Sequence, residues 1–132
     1  MIASLLFAVA LAADEPQPQQ ASPEMNAAAA YVQSLFLPII FTACKAHDAS
    51  KAAAYDNALD TWNKANKNVV KTGEEITRKQ AKASGMEMDA MTRMSVDELK
   101  QDLASKTPEE LTQGCANTLQ QAWVESQHPR GR

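Results

Sequence analysis

The sequence predicts an all-α fold, a small four-helix bundle closed by one disulfide, and three observations carry this. Alanine supplies 24 of the 132 residues, whereas Leu, Ile, Val and Phe together number 23, six of them within the first eleven positions. That composition suits helices whose axes approach closely. It excludes a β-sandwich or a doubly wound sheet, both of which need long β-branched runs. Apolar residues also recur at helical spacing over most of the chain, with no stretch alternating at the period of a strand. Finally, the two cysteines, Cys44 and Cys115, are 71 positions apart and fall in the first and last predicted helices.

At 14.3 kDa the chain has room for one core. A formal net charge of −3 and an isoelectric point near 5.3 argue against a dedicated nucleic-acid binder, which is normally basic. Residues 1–12 read as a signal peptide. Ile2 to Leu11 form an apolar run, and Ala10-Leu11-Ala12 offers the small-x-small pattern of a cleavage site, although no Lys or Arg precedes the run. The run is too short for a membrane anchor, which needs roughly 20 apolar residues. No membrane span is therefore expected after signal removal, and the expected location is periplasmic or secreted. In an exported chain a lone pair of cysteines reads as a disulfide. No CxxC motif and no histidine pair offers another use for them.

Residues 13–22 read as a flexible linker, rich in Pro and Gln. The bundle domain is expected over residues 23–126, with a disordered tail at 127–132. Ser22-Pro23-Glu24 is a helix start: Ser caps, Pro occupies the first turn and Glu faces the dipole. The first helix should run to about His47 and kink at Pro38. The second and longest should cover Ser50 to Ser84, burying a stripe of Tyr55, Trp62, Val69, Ile76 and Ala83, with Gly73 a soft point within it. Ser95 and Glu98 are spaced as a capping box, stapled by Met94 and Leu99, and place a short third helix at Val96 to Ser105. Thr107-Pro108-Glu109-Glu110 repeats the box and starts a fourth helix running to Ser126. Its buried stripe is Leu111, Cys115, Leu119 and Ala122.

The catalytic inventory is thin. Two histidines are present, His47 near a helix C-terminus and His128 in the tail, and neither stands beside a recognisable nucleophile. No catalytic residue and no cofactor is therefore expected. Asp56 and Asp60 lie one turn apart and read as a solvated face. Asn66, on the flank of the apolar stripe, needs a partner inside the bundle. Lys64, Lys67, Lys71 and Arg78 mark a basic side of the second helix. Met86, Met88, Met91 and Met94 fall within nine residues and offer an adaptable apolar surface.

These features point to an exported, non-catalytic protein-binding module of the inhibitor, immunity or envelope-adaptor type. It would present Lys64, Lys67, Lys71, Arg78, Met88 and Met91 to a protein partner. The alternative is a periplasmic Cu(I)- or Ag(I)-binding protein, because thioethers are soft ligands. Its donors would be Met88, Met91 and Met94, with His47.

Overall fold

The computed structural model describes residues 22–129, which form four α-helices and one short 3₁₀ turn with no strand among them. The helices are α1 (Pro23–His47), α2 (Ala52–Ala83), α3 (Met88–Ser105) and α4 (Pro108–Gln127), with the 3₁₀ turn at Ala49–Lys51 between α1 and α2. The expected signal peptide, nearly all of the linker and the last three residues lie outside the described residues.

Local chemistry explains most of the boundaries. Ser22 Oγ accepts from the Met25 amide, and Pro23 occupies the first turn where its missing N–H is not needed. The assigned helix α1 continues unbroken through Pro38. The proline lies on the exposed side, while Leu37 and Phe41 beside it are buried and hold the helix together across the missing hydrogen bond. Asp48 closes α1 and turns the chain, its carboxylate accepting from the Ser50 amide. Those hydrogen bonds, the one from the Ser50 hydroxyl foremost, hold the Asp48 carboxyl below its usual value. The turn uses residues 49–51, so α2 starts at Ala52 rather than at Ser50.

Gly85 ends α2 with φ +68°. Its amide donates to Lys82 O and the Met86 amide to Ala81 O, a Schellman closure that needs a residue without Cβ strain. At α4 the capping box is complete: the Glu110 amide donates to Thr107 Oγ1, and the Thr107 amide donates to Glu110 Oε1. That backbone donation holds the Glu110 carboxyl below its ordinary value.

Four sequence expectations are corrected. The third helix begins at Met88, not Val96, and Ser95 lies inside it. Residues 88–94 are good helix formers with Asp89 in the first turn, so nothing forces the chain out of the helix ahead of Ser95, and a box caps only where the chain enters. Ala83 is exposed and Ala81 is buried instead. A strict seven-residue repeat drifts by about 20° per heptad on a straight helix. Drift carries Ala83 about 80° off the line of Tyr55 but does not account for Ala81, which lies about as far to the other side; the buried residues of α2 are Tyr55, Trp62, Asn66, Gly73 and Ala81. Gln127, placed in the tail by the sequence, is the last residue of α4. Gly73, read as a soft point, is where α2 packs directly against the backbone of α1. A Cβ built there would stand 1.8 Å from the Ala27 carbonyl oxygen.

The core lies between α1, α2 and α4. Leu37, Phe41, Cys44, Tyr55, Trp62, Cys115 and Ala122 are buried together, with the Phe41 and Tyr55 rings 5.3 Å apart. Cys44 and Cys115 are joined in a disulfide that binds the end of α1 to the first half of α4. Helix α3 contributes no buried residue. It lies along α1 and leaves crevices between the two.

Replacing Gly73 by Ala should destabilise the fold despite the better helix propensity of Ala, because the added methyl meets backbone. Propensity returns about 1 kcal/mol, and separating α1 from α2 costs about 1–3 kcal/mol or more. The expected net result is a melting temperature several degrees lower by circular dichroism, and an unchanged or raised value would contradict the packing. Reducing the disulfide opens a loop of 71 residues. The stability measured in guanidinium should fall by about 4 kcal/mol on the chain-entropy estimate.

Candidate functional site

Helix α2 has two unlike sides. At 100° per residue, Lys64, Lys67, Lys71 and Arg78 fall within a sector of about 60°, opposite Tyr55 and Gly73. All four are exposed, and the row from Lys64 to Arg78 is about 21 Å long at 1.5 Å per residue. Two are paired within the helix: Lys64 Nζ is 2.8 Å from Asp60 Oδ2 and Arg78 Nη2 is 3.0 Å from Glu74 Oε1. The hydrogen bond to Asp60, followed by its charge, raises the Lys64 ammonium above its ordinary value. Lys67 and Lys71 have no ion-pair partner among the described residues. Asp56 is held by Lys45 at 2.8 Å, so Asp56 and Asp60 each hold a separate lysine.

The methionines divide. Met88 and Met91 are half-buried in a small crevice between α1 and α3, against Tyr31, Leu35 and Phe36. Met94 and Met86 are exposed, at 66% and 52%. His47 lies at the other end of α1, sixteen residues past Tyr31, which is about 24 Å along the axis. Its Nε2 is 2.9 Å from Thr112 Oγ1. That hydroxyl donates to Pro108 O, so it accepts from His47 and the ring hydrogen lies on Nε2. The structure brings Met88 and Met91 together, leaves Met94 outside their crevice and does not bring His47 to them.

A polar cluster inside the bundle was only half visible in the sequence. Asn66 is fully buried, and its Nδ2 donates to Trp62 O at 3.1 Å and to Glu125 O at 3.3 Å. This meets the expectation of a partner within the bundle. Glu125 stands in an acidic stretch of the sequence, yet it is only 9% exposed. Its Oε1 accepts from Trp62 Nε1 at 3.2 Å and from Gln33 Nε2. The signal that could have found it is its register, three residues beyond Ala122 on the buried stripe of α4. A carboxylate there needs donors, and α1 and α2 each supply one.

Two larger grooves open beside the core. One, of about 610 Å³, lies between α2 and α4, with Ala54, Ala58 and Ala116 among its lining and Trp123 on its wall. The other, of about 760 Å³, lies between the second half of α1 and the ends of α3 and α4. Among the described residues no group of three or more His, Cys, Asp or Glu side chains is placed to hold a metal ion.

The fold and these surfaces define the class: a disulfide-closed, all-α four-helix bundle whose core is shared by three helices. Comparison with known protein families, with curated proteins and with solved structures finds no match to this chain.

Substituting Glu125 by Ala should remove the acceptor of two buried N–H donors and leave a cavity. The expected loss is about 2–4 kcal/mol in denaturant unfolding. Glu125→Gln keeps a carbonyl acceptor and should lose clearly less, so equal losses would deny the hydrogen bonds their role.

Proposed function

We propose that the protein is an exported, non-catalytic binding module whose basic α2 face docks a protein partner carrying an acidic patch. One observation carries the reading: Lys64, Lys67, Lys71 and Arg78 share the exposed side of a helix whose opposite side is locked into the core. A rigid row of cations about 21 Å long is pre-organised for a complementary surface, since no backbone needs ordering on association. Lys67 and Lys71, which have no ion-pair partner among the described residues, are the ones a partner's carboxylates would meet first.

Export is supported by the apolar leader and by the disulfide, a bond that persists in oxidising compartments. Helix α1 is also long and apolar enough to cross a membrane by length and composition alone. We read it as a core helix, because Leu37, Phe41 and Cys44 are buried against α2 and α4. The non-catalytic part of the reading rests on the sequence inventory, in which neither histidine stands beside a nucleophile.

The test is recovery of a partner from an envelope extract of the native host. Binding should weaken steeply as salt is raised past about 0.15 M, where screening shortens to about 8 Å. It should be lost in a Lys64→Glu, Lys67→Glu, Lys71→Glu variant that melts like the wild type. A complex insensitive to both changes would move the interface elsewhere.

A further inference from the structure

The groove between α1, α3 and α4 has a chemistry that the proposed docking face does not use. Its walls are Pro38, Ile39, Ala43 and Ala46 of α1, Leu103 of α3 and Leu111 of α4. Along α1 it extends from Pro38 to His47, about 14 Å at the helical rise. A volume of about 760 Å³ falls within the range of about 300–1,000 Å³ typical of small-molecule sites.

The polar groups of this groove are few, and most are already engaged. The Thr42 hydroxyl donates to Pro38 O, and His47 Nε2 is held by Thr112. Lys100 is different. It lines the groove from α3 and has no ion pair or hydrogen bond to another described side chain. No carboxylate is among the residues lining the groove. The other large groove, beside α2 and α4, also has a lysine at its rim, but Lys51 there is 3.9 Å from Asp48. An apolar trough with one unengaged cation at its edge is complementary to a hydrocarbon chain ending in an anion. Helix α3 forms one wall, and none of its residues is fully buried.

We propose that this groove binds a medium-chain fatty acid, whose extended length matches the stretch from Pro38 to Ala46. The carboxylate pairs with Lys100 Nζ and the hydrocarbon lies along α1 between Pro38 and Ala46. Binding needs no covalent step and leaves the basic face of α2 free, so it stands or fails independently of the docking reading.

The probe is 1-anilinonaphthalene-8-sulfonate, an apolar anion whose fluorescence rises on transfer from water, titrated into the full chain with its disulfide intact. Saturable one-to-one binding is expected, displaced by decanoate and at least about tenfold less well by decanol, which has no charge for Lys100. Lys100→Glu should weaken the probe by about tenfold or more, while Lys100→Arg retains it. Ala104→Trp should abolish binding by filling the groove. Ala104 is exposed, so this variant is expected to fold, and an unchanged circular dichroism melt would establish that. Trp123→Ala, in the other groove, should leave binding intact. Each of four results would overturn the assignment: no saturable binding up to about 100 μM; equal displacement by acid and alcohol; loss with Trp123→Ala but not with Ala104→Trp; or a native dimer that Ala104→Trp dissociates, which would make a second copy of the chain the occupant.

Discussion

The close approach of α1 and α2 at Gly73 is the constraint on which the rest of the bundle depends. With the Ala27 carbonyl occupying the space where a side chain would begin, the two longest helices meet backbone to backbone. Ala27, which is buried, and the Cβ of Tyr31 line the same contact from the α1 side. Once this crossing is fixed, the second half of α1 is carried past the first half of α2, and Phe41 meets Tyr55. Cys44 is then placed where α4 can reach it. A chain with so few large aliphatic residues gains little from bulk, and small residues compensate by letting the surfaces that do exist come close.

Much of this was legible from the residues, because the helix ends carry strong local chemistry. Ser22 before Pro23, and Thr107 with Glu110, are hydrogen-bonding devices that work within a few residues and need no tertiary context. The pairing of Cys44 with Cys115 was legible by elimination. What could not be read depends on a neighbour. Ser95 has the same local chemistry as Thr107, but the residues before it are themselves helical, so its box closes nothing. A glycine in mid-helix looks like weakness in one dimension and becomes a contact only when another helix arrives. The loss of Ala83 from the buried line follows from the difference between seven residues and two turns of a straight helix, which an isolated list of apolar positions conceals.

The basic side of α2 was legible for the same reason, since charge on the outer face of a helix needs only the period to locate it. Glu125 was not, because its burial is decided by Gln33 and Trp62 from two other helices. Its removal from the surface also makes α4 less acidic outside than its composition implies. The grooves were likewise invisible in the sequence. Each is walled in part by alanines, which fill less of the space between helices than larger side chains would.

Helix α3 is held at both ends, and along its length by half-buried side chains such as Met91, Leu99 and Leu103. On one side the Schellman closure at Gly85 fixes where it leaves α2, and on the other only Lys106 and Thr107 separate it from α4. The disulfide follows eight residues into α4, so the loop it closes contains the whole of α3. A segment bracketed this way resembles a bucket handle, tethered at both feet. Because none of its residues is fully buried, the free energy needed to lift it is expected to lie below that of global unfolding. Its departure would leave the sulfur link still joining α1 to α4.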